Sequence, residues 1–407
     1  PDDAIPGEYS GVVDVGADGD AVSLPLRVRV YPFDLVQGKP WRLFFYDSNP
    51  ADAELYFRDM REHGMTSVIL AQVQAPLRRD GDRAVMDFAN SDAFVDAGRK
   101  VGFSGPLVYN PFHDRLATCL LEVFGLADGY PKVVNYGERI CVFKEGEYPA
   151  ALQDVYRQIV RTIYDHARTA GWPPLLYFPV DEPNDPNDWR MTAVRLEYRL
   201  TREAVPDART FCTAYDLATM ARLDPWLDVR ACPIGPLVQS AEGNQRFREY
   251  LQRAGGEIWG IDWPAMWDDF GRARQLGGFL PAKAGVSGMT AWTYYTPPRW
   301  TDDYADLRGQ YKCCHIAYRD QDGSLMPTLT WEGLRAGITD WRYIATLEAA
   351  LAKADGTKRQ RAEATLRKVL AEVPWQNESQ AGLGGRRAAD LRERIAAAVM
   401  ALGADGE

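Results

Sequence analysis

Apolar segments of strand length alternate with helical segments from residue 39 to residue 346, and this alternation constrains the fold more than any other feature. The short segments are rich in β-branched and aromatic residues and are bounded by turn-forming residues. Eight segments are predicted as strands, at 43–46, 67–71, 106–110, 175–180, 210–213, 229–231, 257–261 and 286–292. No G-x-G-x-x-G or G-x-x-x-x-G-K-S/T sequence follows them, so a nucleotide-binding sheet lacks its signature. The pattern predicts an α/β protein built as a (β/α)8 TIM-like barrel.

Two further regions flank the predicted barrel, which we assign to residues 39–346. Residues 1–38 contain two alternating runs joined by a turn, and we predict the last hairpin of a β-sandwich, because two strands do not hold a domain alone. Residues 347–407 are rich in Ala, Arg, Lys and Glu with helical periodicity, which predicts a helical extension broken near Pro374. The chain opens on Pro1 rather than Met, which is typical of the middle of a longer protein or of a mature or trimmed form, and we expect secretion or a periplasmic location rather than the cytoplasm.

The charge balance restricts the class of partner. Among the 407 residues, 47 Lys and Arg stand against 57 Asp and Glu, so the formal net charge is −10. This balance argues against nucleic acid and anionic membranes as partners, since both favour basic surfaces. No run of 18 apolar residues occurs, so no membrane span is expected. Four His and the absence of a C-x-x-C pair lead us to predict neither a metal nor a cofactor.

Aromatic residues are abundant and unevenly placed. The chain has 12 Trp, 20 Tyr and 15 Phe, and many of the Trp and Tyr stand beside Pro, Asp or Gly outside the periodic segments. Flat rings near loops often line ligand clefts, where they stack on the ligand while their polar tips form hydrogen bonds. Sugars are ligands of this kind, so the pattern favours a carbohydrate-binding cleft.

The fourth predicted strand ends in two adjacent carboxylates, Asp181 and Glu182, followed by Pro183. In barrels of this type the reacting groups lie at the carboxyl ends of the strands. Burial and mutual repulsion are expected to raise the pKa of one of the two carboxyls. One neutral acid beside one carboxylate suits glycosidic cleavage, which needs a proton donor to the leaving oxygen and a negative group near the developing positive charge.

Polar and aromatic residues also follow other predicted strands. Asn110 and His113 follow the third strand, Asp262 and Trp263 follow the seventh, and Trp292 and Tyr294 end the eighth. Because parallel strands share one carboxyl edge, we predict these side chains as substrate-binding residues around the two carboxylates.

Three stretches resemble glycoside hydrolase family 123 and its related uncharacterised domains. The first is Asp181-Glu182-Pro183 after the fourth strand. The second runs from Tyr318 to Gly323, continues through Met326-Pro327-Thr328 and ends at 331–343, where "LR-x-GI-x-D-x-x-Y" matches the family's closing helix. The third, residues 6–11, is similar to the end of the β-sandwich that precedes the barrel in this group. Most of that sandwich is missing here, and residues 112–148 match no pattern of the family.

The resemblance implies a β-N-acetylgalactosaminidase that works by substrate-assisted catalysis on a terminal β-linked N-acetylhexosamine, with GalNAc as the expected sugar. Carried over to the matching positions, Asp181 would stabilise the 2-acetamido group, and Glu182 would act as general acid and then base. Aromatic walls are expected to press that group into position; Trp292 and Tyr294 are the first candidates, with Tyr215 and Trp263 next.

Two alternatives stay open at the level of sequence. In one, Glu182 is the acid/base and Asp262, after the seventh strand, is the nucleophile of a retaining glycosidase. In the other, the barrel binds carbohydrate without catalysis. The pairing of two carboxylates at one strand end favours the catalytic interpretations.

Overall fold

The computed structural model describes residues 3–17, 20–46, 49–71, 75–112, 115–135, 138–183, 189–262, 269–295, 315–378 and 383–403. The strands are β1 Gly7–Ala17, β2 Asp20–Val30, β3 Trp41–Phe45, β4 Ser67–Ala71, β5 Leu77–Asp80, β6 Arg83–Met86, β7 Leu107–Asn110, β8 Lys132–Asn135, β9 Glu138–Cys141, β10 Leu175–Tyr177, β11 Phe211–Thr213, β12 Val229–Pro233, β13 Glu257–Asp262, β14 Gly288–Tyr295, β15 Ala317–Arg319 and β16 Leu325–Pro327.

The helices are α1 Ala53–Glu62, α2 Ala89–Lys100, α3 Leu116–Val123, α4 Ala150–Thr169, α5 Trp189–Ala204, α6 Leu217–Leu223, α7 Ile234–Val238, α8 Ala241–Ala254, α9 Phe270–Arg274, α10 Leu280–Ala284, α11 Leu329–Leu351, α12 Gly356–Glu372 and α13 Gly385–Gly403. A π-helical segment, Gln275–Phe279, joins α9 to α10. No helix of the described residues is both long enough and apolar enough to cross a membrane.

Eight parallel strands form the central sheet in the order β10-β7-β4-β3-β14-β13-β12-β11. Strand β14 pairs with β3, so the last strand of the series lies beside the first. A parallel bridge between Tyr177 and Thr210, with the Tyr177 N–H donating to the Arg209 carbonyl at 2.9 Å, connects the two remaining edges. The chain is therefore a (β/α)8 barrel, and each of the eight predicted strands overlaps one of the observed strands.

The barrel interior is filled by apolar side chains that alternate along the strands with side chains facing the helices. Its buried cluster comprises Phe44, Tyr46, Ile69, Ala71, Val108, Leu176, Phe178, Phe211, Val229, Ala231, Trp259 and Ile261. Trp292 is partly buried and packs against this cluster. The interior is a packed core, so a ligand can reach the barrel only at its ends.

The chain divides into two compact units: one of residues 39–339 and 373–383, which holds the barrel, and one of residues 1–38, 340–372 and 384–407. The second unit contains the antiparallel β1–β2 hairpin together with α12 and α13. One face of the hairpin is apolar and exposed, formed by Tyr9, Val13, Val15, Val22, Leu24, Leu26 and Val28. The origin of residues 1–38 in a β-sandwich, like the three-part domain division, stays a prediction.

Candidate active site

The carboxyl ends of the eight barrel strands form one edge, here called the barrel rim. Asn110 ends β7, Asp262 ends β13, and Trp292 lies near the end of β14. Asp181 and Glu182 follow β10 by four and five residues. The rim thus holds most of the residues predicted from the strand ends, while two of them, His113 and Trp263, lie outside the described residues.

Asp181 is a buried carboxyl at the rim, with 8% of its surface exposed. Its Oδ1 accepts a hydrogen bond from the Thr213 hydroxyl at the end of β11. Burial and the neighbouring Glu182 carboxylate raise the pKa of Asp181 to about 7, although the Thr213 hydrogen bond and Arg190 act in the opposite direction. A carboxyl in this environment resists a full negative charge at neutral pH.

Glu182 lies beside Asp181 but is only partly buried. Its φ of 47° is in the left-handed region, and among the described residues no other non-glycine residue has a positive φ. The turn separates the two neighbouring side chains: Asp181 reaches Thr213, whereas Glu182 Oε1 accepts a hydrogen bond from the Tyr215 hydroxyl at 2.5 Å. Backbone strain of this kind is concentrated at functional sites.

Thr213 links the two carboxyl residues. Its hydroxyl donates to Asp181, and its oxygen accepts the backbone N–H of Glu182 at 3.0 Å. Because Thr213 belongs to β11, the turn after β10 is held by the adjacent strand. The neighbouring loop is fixed as well, since Asp216 caps α6 by accepting the N–H groups of Ala218 at 2.8 Å and Thr219 at 2.9 Å.

Arg190, in the first turn of α5, supplies the nearby positive charge. It lies 3.5 Å from the Glu182 carbonyl oxygen through Nη1 and lowers the pKa of Asp181. A fixed guanidinium therefore offsets part of the negative charge that the two carboxyls would carry together.

An aromatic wall lies at the rim on the other side of the barrel. The Trp292 indole N–H donates to the Tyr46 hydroxyl at 3.2 Å, and Tyr46 stacks on Phe44 with ring centroids 5.9 Å apart. Tyr46 is the residue directly after β3, so a search of all eight strand ends could have identified it. Trp292 is only partly buried, which suits contact with an apolar ligand face.

The structure corrects the placement of Tyr294. This side chain is fully buried on the helix side of β14, where its hydroxyl donates to Asp59 of α1 at 2.7 Å and its ring packs edge-on against Tyr56 and Trp331. The pairing of β14 with β3 shifts register between Ala291 and Tyr295, so strict side-chain alternation from Trp292 does not apply. Tyr294 therefore does not join Trp292 at the rim.

Asp262 and Asn110 are both buried at their strand ends. Along β7, Asn110 alternates with the interior residue Val108, which puts it on the barrel-axis side. Along β13, the residue adjacent to Asp262 is the interior residue Ile261, so alternation puts Asp262 on the opposite face. Only Asn110 of this pair shares the interior face.

Sequence reasoning missed Thr213 and Arg190 as parts of this site. Thr213 ends the fifth predicted strand, so its position could have been noted, but its hydroxyl contacts depend on the closure between β10 and β11. Among the described residues no group of His, Cys, Asp or Glu has an arrangement able to hold a metal ion. The chemistry available at the rim is one buried carboxyl that favours its proton and one accessible carboxyl beside it.

No family model and no curated protein matches the chain. Among solved structures, it is similar to a family 39 glycoside hydrolase from Bacteroides cellulosilyticus WH2, with 13% identity, a TM-score of 0.47 and coverage of 82% of this chain and 71% of that chain. It is similar to a GH10 xylanase with a bacterial Ig-like domain from termite gut, with 10% identity, a TM-score of 0.45 and coverage of 84% and 87%. It is also similar to an exo-β-1,4-mannosidase from Opitutaceae bacterium strain TAV5, with 14% identity, a TM-score of 0.47 and coverage of 75% of this chain and 60% of that chain. Similarity at this level does not identify the reaction.

Proposed function

We propose that this chain is a retaining β-N-acetylhexosaminidase, with β-linked GalNAc as the preferred terminal sugar, and that it uses the 2-acetamido group of its substrate as nucleophile. The observation that carries the proposal is the pair of adjacent carboxyls at the barrel rim, joined through Thr213. Asp181 is buried with a pKa raised to about 7, and Glu182 is partly exposed. Such a pair supplies the two functions that glycosidic cleavage requires.

In the first step Glu182 donates a proton to the glycosidic oxygen as its bond to the anomeric carbon breaks. The acetamido carbonyl oxygen of the same sugar attacks that carbon, so an oxazolinium forms and the alcohol leaves. In the second step water adds to the anomeric carbon, the oxazolinium ring opens, and Glu182 takes the proton from the water. Two inversions at one carbon retain the configuration, and the enzyme returns to its starting protonation state.

Asp181 acts on the acetamido group rather than on the leaving group. Its carboxylate accepts the acetamido N–H and offsets the positive charge that develops on the oxazolinium. Thr213 holds one Asp181 oxygen, which fixes the direction of the carboxylate. Because the nucleophile belongs to the substrate, a second protein carboxylate across the barrel is unnecessary, and Asp262 has no role in this scheme.

The resting protein and the proposed catalytic form differ in where the proton lies. Burial and the neighbouring Glu182 carboxylate raise the pKa of Asp181 to about 7, so in the free protein Asp181 favours its proton at lower pH. The proposed roles require this proton to move to Glu182 when substrate binds, with the acetamido N–H then stabilising the Asp181 carboxylate. We expect kcat/KM to fall as pH rises above about 7, because the pair then loses the proton needed by the leaving group.

The aromatic residues at the rim support a sugar ligand. Trp292 offers a partly exposed indole, and Tyr215 is exposed while its hydroxyl contacts Glu182. One face of a pyranose ring carries C–H groups that pack on such rings, while its hydroxyls need the polar groups around them.

The decisive experiment compares hydrolysis of aryl β-glycosides with and without a 2-acetamido group. We expect turnover of the GalNAc and GlcNAc compounds, and strong inhibition by a thiazoline mimic of the oxazolinium, since intermediate mimics bind about 10²–10⁸-fold tighter than substrates. A 2-fluoro sugar should form no adduct with the protein. A 2-fluoro glycosyl adduct on the peptide containing Asp262 would overturn the mechanism, and saturable sugar binding without any hydrolysis would overturn the enzymatic function.

A further inference from the structure

A second pocket is lined by helices that pack around the barrel and by the segment between β9 and α4. It is lined by Thr192, Arg195, Leu196 and Arg199 of α5, by Arg222 of α6 and by the segment 143–148, and we call it the α5–α6 pocket. Its volume is about 210 Å³. Sites for drug-sized ligands commonly measure about 300–1,000 Å³, so this pocket has the size for a ligand of one ring.

One wall of the α5–α6 pocket is aromatic. Phe143 is buried, and Trp226, in the turn that follows α6, is partly buried. Leu196 continues this apolar surface from α5. An indole that keeps part of its surface open in a concave pocket can pack against the C–H face of a sugar ring.

The charges around the pocket are mainly positive. Lys144, Arg195 and Arg222 line it against the single acid Glu145, although the chain as a whole has a net charge of −10. Arg199 also lines it, but this guanidinium donates to Glu203 at 2.6 Å and to Gln153 at 3.2 Å.

Arg195 and Arg222 differ from most arginines of the fold. Within the described part of the chain, neither has an ion-pair or hydrogen-bond partner for its guanidinium. With two such guanidinium groups in its lining, the pocket favours an anionic group. The planar guanidinium matches the oxygens of carboxylate, sulfate or phosphate groups.

We propose that the α5–α6 pocket binds a monosaccharide unit that carries an oxyanion, with the oxyanion on Arg195 and Arg222 and the sugar ring on Trp226. The pocket shares no lining residue with the rim. Because the pocket is built from residues other than those of the rim, the proposal does not depend on hydrolysis at the rim.

Isothermal titration calorimetry of the full chain with glucose 6-phosphate, glucuronate and glucose tests this site. We expect saturable binding of both charged sugars, weakened by high salt, and at least about 10-fold weaker binding in Arg195→Gln and Arg222→Gln, because each loses one charge-assisted hydrogen bond. Arg195→Lys keeps the charge without the planar fork, so its affinity for the charged sugars should lie between those of wild type and Arg195→Gln. Arg246→Gln on α8, which removes an exposed arginine elsewhere, and Glu182→Gln at the rim should bind as wild type.

Trp226→Ala tests the part of the proposal that concerns the ring. It should weaken glucose 6-phosphate but leave the binding of inorganic phosphate unchanged. Circular dichroism checks that Arg195→Gln and Arg222→Gln are folded. If these folded variants bind the charged sugars with the affinity of wild type, the proposed site is wrong. Equal affinity of the wild type for inorganic phosphate and glucose 6-phosphate would overturn the role of the sugar ring, and absence of any binding would overturn the whole proposal.

Discussion

Two buried carboxyls near β10 have different surroundings. Asp181 is at the rim, whereas Glu197 of α5 is completely buried behind the sheet, where the Tyr156 hydroxyl donates to its Oε2 at 2.8 Å. Burial raises the pKa of Asp181 to about 7 and that of Glu197 to about 8. A raised pKa alone therefore does not distinguish a candidate active site from the packed interior of the protein.

The surroundings of the two carboxyls differ in access and in charge. Beside Asp181 lies the partly exposed carboxyl of Glu182, which accepts a hydrogen bond from the exposed Tyr215. Arg190 is also nearby. Glu197 is enclosed by Tyr156 and Tyr177, both fully buried, and the pKa values of both tyrosines are raised well above their ordinary value by burial and by Glu197. Of these two carboxyl sites, the one at the rim is open to a ligand and can deliver a proton to it, whereas Glu197 is completely buried.

Among the substitutions that compare the rim with the site of Glu197, Glu182→Gln is expected to have the largest effect on activity. The amide keeps the shape of the side chain but cannot donate the proton, so hydrolysis of substrates with poor leaving groups should fall about 10²–10⁴-fold. Activated aryl glycosides should lose less. The matched control is Glu197→Gln, which should keep activity within a few-fold of wild type. Equal losses on good and poor leaving groups would remove Glu182 from the acid role.

Asp181→Asn should also reduce turnover, by about 10²–10³-fold, for a different reason. The amide oxygen can still accept from Thr213, but it cannot offset positive charge on the oxazolinium. The rate should therefore fall much more than the affinity for a neutral product, measured by steady-state kinetics and by titration with the free sugar. A rate within a few-fold of wild type would contradict substrate assistance.

The order of strands and the position of the rim carboxyls could be predicted from the sequence, because apolar periodicity and strand-end position carry that information. Asp181 and Glu182 follow β10 as expected, and the barrel closes. The contacts that differentiate them could not be predicted. Thr213 reaches both residues only because β10 and β11 close the barrel, and Tyr294 faces α1 because of a register shift in β14 that alternation does not foresee.

The pH dependence of stability compares the two carboxyls directly. The pKa of each is higher in the folded chain than its ordinary value, 3.8 for Asp181 and 4.5 for Glu197, so the folded state holds protons that the unfolded chain has released. The free energy of unfolding should therefore fall as pH rises, up to about 7 for Asp181 and about 8 for Glu197. Each group contributes at most about 1.4 kcal/mol per pH unit within its window.

Urea unfolding from pH 5 to pH 9 measures these windows. Asp181→Asn should flatten the decline up to about pH 7 only, whereas Glu197→Gln should flatten it up to about pH 8. Comparing slopes rather than absolute stabilities removes any pH-independent effect of the substitutions. Curves parallel to wild type for either variant would show that its carboxyl does not gain a proton on folding.

The smallest expected effect concerns the backbone at Glu182, where φ is 47°. A side chain in the left-handed region costs about 1–2 kcal/mol, and glycine removes that cost while adding about 0.5–1 kcal/mol of chain entropy in the unfolded state. Glu182→Gly should therefore be more stable than Glu182→Gln by about 0.5–1 kcal/mol, although both lack the carboxyl of the proposed general acid.

The same pair of substitutions at Glu145, an exposed turn residue whose φ is not positive, is the control. There the glycine variant should be the less stable of the two, since it adds entropy to the unfolded chain without relieving strain. The opposite order at the two positions, measured by urea unfolding, would show that the rim holds Glu182 in a strained conformation. The same order at both would mean that the turn after β10 carries no such cost, and that the separation of the two carboxyls rests on Thr213 and Tyr215 alone.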